Sequence, residues 1–167
     1  MTAVVRNRRG LSFIELIITV VILSVLGMLV LPLTQMTAKR VKELRLRQNL
    51  REIRTAIDKY KDTYEEALKQ GKIQKNMDDS GYPKSLKLLV EGVVDPTDPK
   101  GEKRIRYLRR IPPDPFNRYV GTDEEKLWRL LSNNQKPDDP LWDGKDVFDV
   151  SSLSDETAID GTKYKDW

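Results

Sequence analysis

Glu15 is a carboxylate at the edge of a long apolar segment, where a charged group needs a partner. From Leu16 to Leu33 the chain has no charged residue, and 18 residues at helical rise span about 27 Å, close to the hydrocarbon thickness of a bilayer. A carboxylate at membrane depth costs about 2.5–3.5 kcal/mol on insertion scales and usually has a partner. The segment therefore predicts a membrane helix with an acidic group at one end that needs a partner.

Chemistry that depends on histidine or cysteine is excluded, because the chain of 167 residues contains neither. This removes the commonest general base, the thiol nucleophile and every disulfide. The sequence also has no Walker A or G-x-G-x-x-G loop, and paired acids alone are common on soluble surfaces. We therefore predict that the protein is not an enzyme.

Three interpretations of the N-terminus compete. A secretory signal peptide would place a small-residue cleavage site after the apolar segment, but Val30 to Thr34 offers none. An uncleaved membrane anchor fits the length and gives no reason for Glu15. The third interpretation is a short basic leader that ends at Gly10 and is removed.

The segment Arg8–Glu15 resembles the processing site of type IV prepilins and type II secretion pseudopilins. In that family a prepilin peptidase cuts after the glycine, on the cytoplasmic side, and methylates the new amino group. The resemblance implies cleavage between Gly10 and Leu11 and N-methylation of Leu11, although the family usually has phenylalanine at this position.

The new amino group would have a pKa of about 8 and would be cationic at neutral pH. Glu15 could then pair with the amine of a neighbouring subunit, so that two groups that are costly alone in lipid become a matched pair. A subunit one step out of place would leave a charge unpaired. Glu15 is therefore predicted to set the assembly register; the alternative is that it lies at the headgroup boundary or contacts its own amine.

Two stretches of the C-terminal half make the chain most like the major, or G-type, pseudopilin of type II secretion. Tyr107–Phe116 resembles the "YL…PxDPW" stretch of that group, with Phe116 where tryptophan is common. Phe148–Asp155, followed by Asp160–Trp167, resembles its C-terminal end. Many major pilins of adhesive pili carry a C-terminal disulfide. The absence of cysteine favours a pseudopilin over such a subunit.

Major pseudopilins commonly bind calcium in the C-terminal loop through carboxylates and backbone carbonyls. The resemblance thus implies a calcium site made by Leu153, Ser154, Asp155 and Asp160, because calcium accepts an irregular cage of oxygen ligands. The spacing is not an EF-hand, and the glycine-rich insertion of the usual loop is missing between Asp155 and Asp160. The alternative is that these acids are turn formers or solubilising charges.

The predicted fold is α+β and type IV pilin-like, with a long N-terminal helix packed on a small antiparallel head. We assign four segments: a cleaved leader (1–10), a transmembrane and filament-core half of the helix (11–33), an amphipathic half (34–70), and a globular head with a C-terminal acidic loop (71–167).

Within this frame the helix should run from Leu11 to Gln70 and stop at Gly71. Its second half carries an apolar stripe that packs either along a filament core or against the chain's own head, and we favour the head for Ile53 to Leu68. The head should contain a short helix started by proline at 83–90 and strands at Arg106–Ile111, Leu127–Ser132 and Val147–Ser151.

A basic cluster follows the apolar segment and consists of Lys39, Arg40, Lys42, Arg45 and Arg47. It is either a solvated helix face that contacts anionic lipid headgroups or a surface that meets the acidic C-terminal segment of another subunit. The stretch after Pro137 has nine acidic residues against three lysines, which provides the opposite charge.

The resemblance implies a structural subunit of a type II secretion pseudopilus that polymerises from the inner membrane and pushes folded exoproteins outward. Its partners would be other copies of itself, the prepilin peptidase, the inner-membrane assembly platform, minor pseudopilins and the lipid bilayer. The N-terminus would be cytoplasmic and the head periplasmic, first in a single-pass membrane form and then in the periplasmic pseudopilus.

Nucleic acid is not an expected partner. The full chain has 30 basic residues against 26 acidic ones, and loss of the leader leaves 27 against 26. A DNA-binding role should require an exposed basic head with interleaved aromatic residues. The alternatives that remain are a type IV pilin serving adhesion, motility or DNA uptake, and an uncleaved bitopic membrane adaptor.

Overall fold

The computed structural model describes residues 12–74, 76, 79–96, 98, 100–121, 123–136, 139 and 141–167, apart from the side chains of 29–34. Gly10 and Leu11 lie outside these residues. The chain divides into two compact units, the first ending at Arg40 and the second beginning at Val41. The predicted division between residues 33 and 34 stays a prediction.

One long helix, α1 (Phe13–Lys69), forms most of the N-terminal half of the chain. It ends where the sequence predicts, because Gly71 has a φ of 67° and the amides of Gly71 and Lys72 donate to the carbonyls of Leu68 and Ala67, each at 3.0 Å. These two bonds are the pair that closes a helix when a glycine follows it in the left-handed conformation. Over the part of the chain that the structure describes, no helix combines the length and apolar character needed to cross a membrane.

The core of the second unit forms around α1. Its most buried positions on this helix follow a three- and four-residue spacing: Leu46, Leu50, Ile53 and Ile57. Residues from the rest of the head complete the core: Leu86, Leu89, Trp128, Val147, Val150 and Tyr164. The stripe at Ile53 and Ile57 therefore packs against the chain's own head, whereas Val41 and Leu44 are exposed.

In the described part of the chain, four short strands form two antiparallel pairs. β1 (Val93–Val94) pairs with β2 (Arg104–Ile105), and β3 (Arg129–Leu131) pairs with β4 (Asp149–Ser151). Leu130 lies opposite Val150, which places two apolar side chains on the core face. The small antiparallel sheets and the long helix confirm the predicted α+β fold.

Two of the three predicted strands contain β3 and β4, but the strand predicted at Arg106–Ile111 is wrong. The amides of Tyr107 and Leu108 both donate to the carbonyl of Leu89, at 3.0 Å each. These bonds bind the segment to a helix end instead of a sheet. The pairing moves to residues 104 and 105, opposite Val93 and Val94, where the sequence predicted no strand.

Two short helices flank the sheets, α2 (Leu86–Glu91) and α3 (Glu124–Leu127). α2 begins after Ser85, whose hydroxyl accepts from the amide of Leu88 at 3.3 Å, and not at the proline that the sequence suggested. The buried Glu124 carboxylate accepts from the amide of Lys87 at 3.0 Å. Burial raises the pKa of Glu124, while bonds from the amides of Lys87 and Leu86 oppose that shift.

Candidate functional site

The start of α1 is an apolar surface that contains one charge. Glu15 is the sole charged residue between Arg9 and Lys39, and its side chain is exposed in the first turn of the helix. The described large apolar side chains between Phe13 and Met28 are exposed as well; the exposed fraction is 80 % for Phe13 and 74 % for Met28. Apolar patches of this extent mark protein or membrane contacts.

Two hydroxyl groups on this surface are satisfied inside the helix. Thr19 Oγ1 donates to the carbonyl of Leu16 at 2.9 Å, and Ser24 Oγ donates to the carbonyl of Val20 at 2.7 Å. A hydroxyl that bonds the preceding turn needs no partner from lipid or protein. Glu15 is therefore the group on this surface that most needs an external partner.

The predicted processing residues are placed only in part. Gly10 and Leu11 lie outside the described residues, so cleavage and N-methylation there stay predictions. Glu15 is described, and its exposed carboxylate is accessible to a second chain. Its role in assembly register also stays a prediction.

The C-terminal loop is a small hairpin. Thr157 and Lys163 form an isolated antiparallel bridge, and the amide of Ala158 donates to the carbonyl of Thr162 at 2.7 Å. Asp160 and Gly161 form the tip of this hairpin, where Gly161 has a φ of 87°. Asp160 accepts from both the amide and the hydroxyl of Thr162, at 3.0 and 2.6 Å.

The two acids of the predicted calcium site each bind a cationic side chain. Asp155 Oδ1 lies 2.8 Å from Lys165 Nζ, and Asp160 Oδ2 lies 3.1 Å from Arg47 Nη2. The hydrogen bond from Lys165 lowers the pKa of Asp155, and the bonds from Thr162, with a smaller contribution from Arg47, lower the pKa of Asp160.

Of the other two predicted ligands, Ser154 could offer its hydroxyl and Leu153 only its backbone carbonyl. The amide of Ser154 donates to Ser152 Oγ at 3.0 Å and its hydroxyl accepts from Glu156, while the Leu153 side chain is exposed. Within the described residues, no three acidic side chains are grouped so that they could hold a metal ion. Calcium takes six to eight oxygen ligands, so the two carboxylates would have to be completed by carbonyls, hydroxyls and water. The calcium site stays a prediction that the geometry does not favour.

A buried carboxylate, Glu43, binds this loop to α1. Glu43 Oε1 accepts from the amide of Ile159 and from the hydroxyl of Tyr164, both at 2.8 Å. Tyr164 is fully buried and stacks on Phe116 with ring centroids 3.9 Å apart, and burial together with the bond to Glu43 raises its pKa. Sequence reasoning missed Glu43, although it precedes Leu46 by three residues and so continues the buried stripe of α1.

Arg54 joins α1 to two further segments of the head. Its Nε and Nη2 donate to the two carboxylate oxygens of Asp149 at 2.6 and 3.2 Å. Nη2 also donates to the carbonyls of Val150 and Trp167, at 3.0 and 2.7 Å. One guanidinium thus connects α1, β4 and residue 167.

Replacing Arg54 with methionine should lower the free energy of unfolding by about 1–2 kcal/mol, since it removes a charge-assisted pair of bonds from a half-exposed group. Urea denaturation followed by circular dichroism measures this loss. Arg51→Met is the matched control, because Arg51 is exposed and its Nε donates at 3.3 Å to the carbonyl of Arg47 on its own helix. Equal losses in the two variants would contradict a connecting role for Arg54.

Two residues of the basic cluster contact the head of the same chain. Arg47 binds Asp160, and its guanidinium lies 4.2 Å from the ring centroid of Trp167. Lys42 Nζ lies 5.8 Å from the ring centroid of Phe116. For Arg47, the acidic partner is therefore in its own chain.

Comparison with known proteins adds a motif at the N-terminus. Residues 5–31 match the family profile described as the prokaryotic N-terminal methylation motif. This span contains the predicted cleavage position and Glu15. No solved structure matches the chain with significance.

Three curated relatives are each named type II secretion system core protein G. The chain is 26 % identical to that of Dickeya chrysanthemi over 114 residues, which cover 66 % of this chain and 65 % of the relative. It is 28 % identical to that of Pseudomonas aeruginosa, over 66 % of this chain and 70 % of the relative. For Pectobacterium carotovorum subsp. carotovorum the identity is 27 % over 124 residues, or 72 % and 67 % of the two chains.

The aligned part thus spans about two thirds of the length of these relatives. The methylation motif, the long helix with its small antiparallel head, and the shared similarity to core protein G agree with one another. The chain is therefore similar to proteins with the prokaryotic N-terminal methylation motif at its N-terminus and to type II secretion system core protein G over 66–72 % of its length.

Proposed function

We propose that this protein is a structural subunit of a type II secretion pseudopilus. The observation that carries the proposal is the exposed apolar start of α1 with Glu15 as its single charge, lying within the methylation motif and followed by a folded head. The names of the three relatives support the secretion system as the setting.

In this proposal, cleavage after Gly10 exposes the amino group of Leu11. The apolar helix then leaves the inner membrane and enters the filament core, where its surface packs on other copies and not on lipid. Glu15 binds the amine of a neighbouring subunit and sets the register, because an unpaired charge in an apolar core is costly. The head forms the outer wall and remains folded while the filament grows.

The role proposed is mechanical and not catalytic. A growing filament would push folded exoproteins outward, with its energy supplied by a separate assembly machine. The partners are other copies of the chain, the prepilin peptidase, the inner-membrane platform and minor pseudopilins. The subunit would begin in the inner membrane with its head in the periplasm.

The intact mass and N-terminal sequence of the protein, taken from membranes of cells that carry its own secretion genes, test the proposal first. We expect a chain that begins at methylated Leu11, and a chain that begins at Met1 when the prepilin peptidase gene is deleted. A chain that keeps Met1 in both strains would be an anchored adaptor. Loss of motility, with exoprotein secretion intact, after deletion of the gene would instead indicate a pilin.

A further inference from the structure

The predicted calcium site has two carboxylates, Asp155 and Asp160, and both have a cationic partner. Lys165 Nζ lies 2.8 Å from Asp155, and Arg47 Nη2 lies 3.1 Å from Asp160. Both distances are within hydrogen-bond range, and the shorter one is typical of a charge-assisted bond. A metal ion that used these oxygens would compete with a cation at each acid.

The pair at the hairpin tip is part of a closed set of contacts. Thr162 Oγ1 donates to Asp160 at 2.6 Å and accepts from the indole Nε1 of Trp167 at 2.7 Å. The ring centroid of Trp167 lies 4.2 Å from the guanidinium of Arg47, and this guanidinium donates to Asp160. Arginine over an indole ring is a favourable cation–π arrangement. The tip is therefore held to α1 by contacts that support one another.

A second attachment lies on the buried side of the same hairpin. Glu43 accepts from the amide of Ile159 and from the hydroxyl of Tyr164. The carbonyl of Trp167 accepts from Arg54 at 2.7 Å. α1 thus binds the loop at its tip, on its buried side and at residue 167.

A structural metal stabilises a loop by neutralising acids that converge and by joining segments that would otherwise separate. In this loop side chains already do both tasks, since Asp155 and Asp160 each have a cation and the segments are joined to α1. We propose that a metal-independent clamp of Arg47, Lys165 and Trp167 closes the C-terminal loop, so that the head folds without calcium. This inference does not depend on whether the chain polymerises.

The test is thermal unfolding of the full-length protein in detergent, with excess calcium or with the chelator EGTA. A calcium site filled at about 100 times its dissociation constant would raise the melting temperature by roughly 5–10 °C in a chain of this size. We expect equal melting temperatures in the two conditions and no heat of binding when calcium is titrated in. A stoichiometric binding heat, or a lower melting temperature in EGTA, would overturn the proposal.

Variants test the clamp itself. Arg47→Met and Lys165→Met should each lower the melting temperature by about 1–4 °C, and 1 M salt should reduce the difference from the wild type because it screens exposed pairs. Lys145→Met is the control, since Lys145 is 76 % exposed and lies 3.9 Å from Asp143, outside the hairpin. If all three variants melted alike, the clamp would be wrong; if a variant failed to fold, the calcium titration of the wild type would still decide.

Discussion

Glu15→Gln should abolish filament assembly while leaving cleavage and methylation of the N-terminus intact. In the proposed filament, the variant leaves the amino group of a neighbouring subunit buried without its counter-charge. Breaking such a pair costs about 3–5 kcal/mol, which lowers the association constant by roughly two to four orders of magnitude. Electron microscopy of sheared filaments measures assembly, and N-terminal sequencing measures processing.

Glu52→Gln is the matched control for this experiment. Glu52 is also an exposed acid of α1, but it lies in the head unit and outside the methylation motif. We expect filaments in this variant. Normal filaments in Glu15→Gln would rule out the charge pair as the source of register. If the variant were not cleaved, the missing filaments would instead reflect poor recognition by the prepilin peptidase.

Trp128→Ala should be the most destabilising single substitution of the head that we consider. Trp128 is fully buried in the core, and its indole Nε1 donates to the carbonyl of Pro112 at 2.9 Å. Removing a buried tryptophan costs about 3–5 kcal/mol, a large part of the roughly 5–15 kcal/mol that stabilises a typical domain. Urea denaturation of the detergent-solubilised protein measures the loss.

Two further variants separate the contributions of Trp128. Trp128→Phe keeps an aromatic ring but leaves the Pro112 carbonyl without its donor, so we expect an intermediate loss of about 1–3 kcal/mol. Leu141→Ala removes a large apolar side chain that is 80 % exposed and should change stability by less than about 0.5 kcal/mol. Similar losses in Trp128→Ala and Leu141→Ala would contradict the central position of Trp128.

Elements that depend on neighbours in sequence were predicted well. The stop of α1 at Gly71 is confirmed, because a left-handed glycine and two local amide bonds suffice to end a helix. The buried spacing at Ile53 and Ile57 is also local, since it repeats with the helical turn. β3 and β4 were found inside their predicted segments because short apolar stretches bounded by turn residues carry that signal.

The strand predicted at Arg106–Ile111 failed for a tertiary reason. Its residues have the side chains of a strand, but the carbonyl of Leu89 takes the amides of Tyr107 and Leu108, and no ladder forms there. β propensity describes how well a side chain fits a sheet surface, so it does not decide the structure when the backbone amides find another acceptor, here the carbonyl of Leu89.

In the C-terminal loop, too, the sequence did not predict which side chains contact one another. Its acids predicted oxygen ligands, yet Arg47 and Asp160 are 113 positions apart, and nothing in the local pattern of either residue indicates the other. Glu43 and Tyr164 are separated by 121 positions and meet only because the core folds around Leu46 and Leu50.

By itself, the sequence determined the family motif, the single charge of the apolar segment, and the course and end of the long helix, because each depends on residue types within a few turns of chain. Only the tertiary structure decided which backbone amides pair as strands and which cation meets each acid of the C-terminal loop. Those choices depend on contacts between distant segments, whose geometry arises when the core packs.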